Sequence, residues 1–231
     1  MSATPLRLAV IVASTREGRF GPTVAAWFAG EAGRRTDLDV EIVDLATPEG
    51  TPEGTPEAGT KAGTETGTRA GTETGTKAAT NAMADPTAKI EANAWTGAKT
   101  DTGSVTGKLG AADAFVVVTP EYNHSYPAPL KAVIDSHFRE WHAKPVGFVS
   151  YGGLSGGLRA VEHLRVVFAE LHAVTVRDTV SFHGARSCFG PDGRPLDEAV
   201  PGAAAGVLLD RLTWWGLTLR DAHQARPYVT A

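Results

Sequence analysis

A chain of 231 residues, 42% of them apolar and with a net charge of −4, can fill the core of one large domain. The mild acidity excludes the basic face by which proteins hold nucleic acid or an anionic membrane. A single cysteine, Cys188, excludes an intrachain disulfide or a zinc cluster and predicts a reducing compartment, the cytoplasm.

Met1 to Pro5 has neither the charged start nor the apolar stretch of a signal peptide, and no apolar run reaches the ~20 residues that cross a bilayer. Leu6 to Ala13 is a buried strand, apolar apart from Arg7, that runs into Ser-Thr-Arg. Phe20 to Arg35 reads as a helix with Val24, Trp27 and Phe28 on one face, and Val40 to Leu45 as a second strand. A low-complexity stretch follows, from Thr47 to Gly107, in which Gly59-Thr-Lys-Ala, Gly63-Thr-Glu-Thr, Gly67-Thr-Arg-Ala, Gly71-Thr-Glu-Thr and Gly75-Thr-Lys-Ala repeat with period four. Between Thr47 and Ile90 its only apolar side chains are alanines and Met83, too little surface to offset the entropy of ordering it. Glycine at every fourth position also opposes a helix. The stretch is expected to be a flexible insertion, 47–107, inside a single domain that spans 1–231.

Beyond it the rhythm resumes. Ala114 to Thr119 is a third strand, and Pro127 to Trp141 a helix with Leu130, Val133, Ile134 and Phe138 on one face. Val146 to Tyr151 is a fourth strand, the stretch from Leu158 to Leu171 a helix, and Val174 to Val180 a fifth strand. A last helix from Gly202 to Ala225 carries Leu208, Leu212, Trp215 and Leu219 on one stripe, and Trp214 and Trp215 are expected to serve the core and a subunit seam. The segment from Phe182 to Pro201, rich in glycine and proline, has no readable pattern. Near-continuous apolar strands between amphipathic helices predict a parallel sheet covered on both faces. Five of them suit the flavodoxin-like α/β fold, strand order 2-1-3-4-5, with the insertion between strands two and three. Ligands of such sheets bind beyond the carboxyl ends of the strands, so the loops after strands one, three and four carry the functional reading.

The first loop, Ser14 to Thr23, sets hydroxyls, glycines and Arg16 beside a helix start, the composition of an anion site. A phosphate monoester carries about −1.5 to −2 charge; Ser14 and Thr23 offer hydroxyl donors and Arg16 a charge-assisted one. The loop is not a P-loop, because Gly107-Lys108 is followed by Leu109. The second, Thr119 to Pro129, is stiffened by prolines and holds Tyr122, His124 and Tyr126. The third, Ser150 to Gly157, has four glycines that allow close backbone approach to a ligand.

Together these elements resemble the NADPH-dependent FMN reductase family, which includes flavin-dependent azo and quinone reductases. The matching residues are Ser14-Thr-Arg16 with Gly21-Pro-Thr23, Thr119-Pro-Glu-Tyr-Asn123 with Pro129-Leu-Lys131 and Ile134-Asp135, Lys144-Pro145, Ser150-Tyr-Gly-Gly153, and Gly156-Gly-Leu-Arg-Ala160. The resemblance runs from Leu6 to Phe182 outside the insertion, which replaces a segment that is short in the family. It implies an FMN phosphate held by Ser14, Arg16, Thr23 and backbone at Pro22 and Val24. It further implies an isoalloxazine ring bordered by Pro120, Glu121, Tyr122 and Asn123, with Gly152 and Gly153 closing over its other edge. NADPH or NADH would then reduce the flavin, and a small acceptor (a flavin, a quinone, an azo compound) would reoxidise it in a ping-pong cycle with no catalytic side chain and no metal. A homodimer or tetramer is implied as well. Two alternatives stand beside this reading. One is an FMN-binding carrier without turnover. The other is a serine hydrolase, since Gly153-Leu-Ser155-Gly-Gly157 fits Gly-x-Ser-x-Gly and Asp178 or Asp192 with His223 would complete a triad in chain order.

Overall fold

The strand most apolar in sequence lies in the middle of the sheet. In a computed structural model that describes residues 4–47 and 104–229, β3 (Ala114–Pro120) is buried at all seven positions. It pairs in parallel with β1 (Leu6–Val12) on one side and β4 (Pro145–Gly152) on the other. β2 (Leu38–Asp44) lies outside β1 and β5 (Val174–His183) outside β4, which gives the order β2-β1-β3-β4-β5. This is the flavodoxin-like α/β arrangement the sequence predicts.

Alternation along the central strands divides the core. Leu8, Val10 and Val12 of β1 with Val116 and Val118 of β3 face one layer, while Ala9, Ile11, Phe115 and Val117 face the other. The first layer takes α1 (Gly21–Gly33), through Val24, Trp27 and Phe28, and α6 (Ala199–Ala225), through Leu208 and Leu212. The second takes α2 (Val105–Ala111), α3 (Ala128–Ser136) and α4 (Leu158–Glu170), through Leu109, Leu130 and Leu164. The three central strands, β1, β3 and β4, are thus covered on both faces, as the interior of a parallel sheet requires, while β2 and β5 at the edges are partly exposed.

Three expectations change. The insertion lies outside the described residues from 48 to 103, but 105–107 form the first turn of α2, whose Ser104 cap accepts from the Gly107 N–H at 3.1 Å. The third helix stops at Ser136, five residues short of Trp141. His137 leaves it in extended conformation, with Nδ1 bonded to the Val133 carbonyl at 2.8 Å and Nε2 to Thr106 Oγ1 at 2.9 Å. A carbonyl only accepts, so Nδ1 is the donor in the bond to Val133. Phe138 is therefore exposed, and Trp141 reaches the core from the following loop to pack on Phe115 and Phe168. On α6 the stripe continues from Leu212 to Gly216, not to Trp215. A Cβ at Gly216 would lie 2.6 Å from the end of the buried Leu6 side chain, so glycine here lets the helix sit close to β1 without moving Leu6. Trp214 and Trp215 are turned outward, 60% and 36% exposed, and are not core residues.

Lys144, just before β4, closes α2, its Nζ donating to the Leu109 and Gly110 carbonyls at 3.1 and 3.2 Å. Burial pushes its ammonium down to about 8 from 10.5. The unfolded chain keeps that proton up to about 10.5, so unfolding takes up a proton between these values and this residue's contribution to stability rises with pH across that window. Denaturant titration of the native protein and Lys144→Met should show their difference in stability shifting toward the native protein between about pH 7.5 and about pH 9.5, by on the order of 1–2 kcal/mol. A difference independent of pH would contradict this.

Candidate functional site

Parallel strands bring their carboxyl ends to one edge, where the loops after β1, β3, β4 and β5 enclose a cleft of about 530 Å³. This is the place the fold reserves for ligands, and the volume suits a small molecule. A groove of about 590 Å³ between α4 and the outer edge of β5 is a different feature. There Arg165 donates to the Val176 and Arg177 carbonyls, both at 2.8 Å, and so caps an edge strand that would otherwise recruit another.

The first wall is the loop after β1. Ser14 is buried, with Oγ 2.5 Å from the Tyr122 hydroxyl, and its carbonyl accepts from Arg19 at 2.8 Å. Arg19 also grips Asp44, at the end of β2, through two bonds of 2.6 and 2.8 Å. Burial alone would raise the Asp44 carboxyl; the Arg19 and Ala46 donors outweigh it and hold the carboxyl below its ordinary range. The same bond raises Arg19 further, so its charge is spent inside the protein. Arg16 differs. Its guanidinium carbon lies over the Tyr122 ring, 3.5 Å from the centroid, and it forms no ion pair with a carboxylate among the described residues.

The β3 loop contributes Pro120 and Tyr122 to the cleft. Tyr122 and Ser125 exchange N–H to carbonyl bonds of 2.8 and 3.0 Å around Asn123 and His124, whose φ values are +51° and +68°. This tight turn has left-handed backbone at two non-glycine residues and ends in an exposed tip. From β4 come Tyr151, Gly152 and Gly153. The Tyr151 hydroxyl is buried beside Gly21 without a hydrogen-bond partner, and burial pushes the phenol well above its ordinary value. The Gly153 carbonyl accepts from the Gly184 N–H at 2.9 Å, which joins the third loop to a fourth wall, Gly184 to Ser187. That wall includes the start of α5 (Ala185–Cys188), and its Arg186 donates to the Gly18 carbonyl at 2.9 Å.

Of the site residues expected from sequence, the structure brings Ser14, Arg16, Pro120, Tyr122, Gly152 and Gly153 into the cleft. Pro22 stands exposed at the start of α1 and has no N–H to give. Val24 turns its side chain into the core, and its N–H is directed to the Phe20 carbonyl at 3.4 Å. Pro22 thus offers no backbone donor, and the Val24 N–H is directed into its own helix turn. Thr23 is half-buried with its methyl toward Gly193, and Asn123 is on the exposed turn. The Glu121 carboxylate lies behind the wall, bonded by Ser155 Oγ and, at 2.8 Å, by Arg159. Burial would raise that carboxyl, but the two donors outweigh it and lower it. Sequence reasoning missed Arg19, Tyr151, Gly184 and Arg186. Arg186 lies in the segment without a readable pattern, whereas Arg19 and Tyr151 stand inside loops already singled out.

The hydrolase constellation does not assemble. Ser155 is bonded to Glu121 at the carboxyl edge of the sheet, while His223 packs near Tyr228, which bonds His172 before the start of β5 at the opposite edge. No group of three or more metal-ligating side chains gathers among the described residues, and none of their helices is long and apolar enough to cross a membrane.

A phosphorylated flavin fits what is present. An uncommitted guanidinium, a buried serine hydroxyl, an orphaned tyrosine hydroxyl, an aromatic face and glycine backbone converge at the strand ends. Fold and cleft define a flavodoxin-like protein with a ligand-sized cleft at the carboxyl ends of its strands. The chain belongs to the NADPH-dependent FMN reductase family, whose signature matches residues 6–187. An NAD(P)H-dependent FMN reductase of Schizosaccharomyces pombe is 35% identical over 158 residues, 68% of this chain and 62% of that protein. An NADPH:quinone oxidoreductase of Arabidopsis thaliana is 35% identical over 108 residues, 44% of this chain and 55% of the relative. The chain thus spans less than two thirds of the length of these curated relatives. Among solved structures, FerB, a flavoenzyme NAD(P)H:(acceptor) oxidoreductase from Paracoccus denitrificans, superposes with a TM-score of 0.58 at 18% identity over 92% of this chain and 98% of its own, a likeness of fold.

Proposed function

We propose that the protein is an FMN-dependent NAD(P)H oxidoreductase that passes reducing equivalents to a small acceptor such as a quinone or a free flavin. The observation that carries this reading is Arg16, a cation without a carboxylate partner, laid over Tyr122 next to the buried Ser14 hydroxyl at the carboxyl edge of the sheet. FMN, when bound, would accept a hydride from NAD(P)H and return two electrons to the acceptor.

The chain's own part is binding and electrostatics. Arg16 and Ser14 would hold the phosphate by charge-assisted and hydroxyl bonds. Pro120, Tyr122, Gly152 and Gly153 would border the ring, and the Tyr151 phenol is buried beside Ser14. Its raised pKa keeps the phenol proton in place through the neutral range. Donor and acceptor would occupy the one cleft in turn, the order of a ping-pong scheme. Relatives named for FMN reduction and quinone reduction support both acceptor classes. Anaerobic addition of NADPH to the flavin-loaded protein should bleach the visible flavin band, and a quinone should restore it. A band that persists under NADPH would instead make the protein a flavin carrier.

A further inference from the structure

The β3 turn is tied to the glycine loop and to α4 by one carboxylate that does not line the cleft. Glu121 follows the end of β3, and its N–H donates to the Tyr151 carbonyl at 3.3 Å. Its side chain, 8% exposed, runs behind the cleft wall. There Ser155 Oγ bonds one carboxylate oxygen and Arg159 Nη1 bonds the other at 2.8 Å. Ser155 belongs to the glycine-rich loop after β4, and Arg159 to the first turn of α4. One helical turn on, His163 Nδ1 lies 3.0 Å from the Ser125 hydroxyl, on the far side of the Tyr122–Ser125 turn. The glycine loop is pinned independently from β4 and β5. Ser150 and Ser181 both donate to the Gly156 carbonyl, at 2.8 and 2.9 Å, and His183 Nδ1 contacts the Leu154 carbonyl at 2.9 Å. That loop is therefore a fixed anchor, and the β3 turn is the piece held against it.

We infer that Glu121, bridged to Ser155 and Arg159, is a positioning residue that sets the Pro120–Asn123 segment against the glycine loop at the spacing the flavin ring requires, with His163 and Ser125 as a second pin. The inference rests on the FMN-binding reading of the cleft. A stripped turn with two left-handed non-glycine residues does not hold one geometry by itself. A buried carboxylate with both oxygens engaged does. The bridge is thus spent on pre-organising the site, and it acts on the ring through the segment and not by contact.

Flavin-stripped full-length protein titrated with FMN by fluorescence quenching tests this. Glu121→Ala should raise the FMN dissociation constant by on the order of tenfold or more, Glu121→Gln by less, and Arg159→Lys by about twofold at most. At saturating FMN the flavin fluorescence anisotropy of Glu121→Ala should fall below that of the native protein, which a merely structural defect would not produce in a protein that still melts cooperatively. Should Glu121→Ala fail to fold, Arg159→Met, altered on the exposed side of the bridge, should show the same loosening. Native-like affinity and anisotropy in Arg159→Met, or in a folded Glu121→Ala, would overturn the inference. A native protein that binds no FMN would remove this inference together with the reading beneath it, so the two failures are told apart by the native titration.

Discussion

Arg16→Ala should weaken FMN binding by about 10- to 150-fold while leaving the melting temperature of the flavin-free protein nearly unchanged. The guanidinium is exposed and makes no ion pair among the described residues; what it gives up on truncation is its stacking on Tyr122. Such a contact at a surface is worth about 0.5–1 kcal/mol, whereas a charged hydrogen bond to a phosphate is worth about 1.5–3 kcal/mol. Binding therefore suffers more than folding. Arg16→Lys should recover only part of the loss, because a planar fork meets phosphate oxygens in pairs and an ammonium does not. Arg19 makes the opposite case. Its two bonds to Asp44 and one to the Ser14 carbonyl make it a structural strut, and Arg19→Ala should lower stability first. Titration of each stripped variant with FMN, beside its thermal melt, separates these roles. Equal affinity in Arg16→Ala and the native protein would remove the phosphate assignment.

The largest effect on stability is expected from Gly157→Ala. Gly157 has φ +86°, and a Cβ there would sit 2.8 Å from Ser150 Cβ and 2.9 Å from the Tyr151 backbone nitrogen. Left-handed backbone costs alanine about 1–2 kcal/mol, and overpacking against a strand adds about 1–3 kcal/mol. No rotamer relieves a clash with backbone. At about 2–4 °C per kcal/mol for a chain of this length, the melting temperature should drop by about 5–20 °C. Gly30→Ala in α1 is the control. Nothing lies within 4 Å of its Cβ, so it should be neutral or gain a few tenths of a kcal/mol. Similar melting curves for the two variants would contradict the packing described around the glycine loop.

The fold was legible because the central strands are apolar runs bounded by turn residues, as in Phe115 to Val118, and a parallel sheet leaves such runs few other arrangements. Helix ends were less legible. Pro127 to Trp141 keeps helical spacing through Phe138, yet the chain leaves the helix at Ser136, since His137 bonds back to Val133 and across to Thr106. That partner is 31 positions away, which a local window cannot see. Half of the site was readable from the loops that end β1, β3 and β4. What stayed hidden was the division of labour within them. Arg16 and Arg19 are equivalent as letters, and only Asp44 at the end of β2 shows which is spent and which is free. Likewise Glu121 belongs to a flavin-bordering motif by sequence, but Ser155 and Arg159 draw its carboxylate away from the cleft.

Four strand-end loops converge on one cleft, the proposed site of a phosphorylated flavin. The most direct measurement is equilibrium binding of FMN to the purified, folded chain, read by flavin fluorescence and compared with riboflavin. Tight one-to-one binding of FMN, with riboflavin bound far more weakly for want of the phosphate, is the predicted result. A folded protein that stays colourless and takes up neither would contradict it.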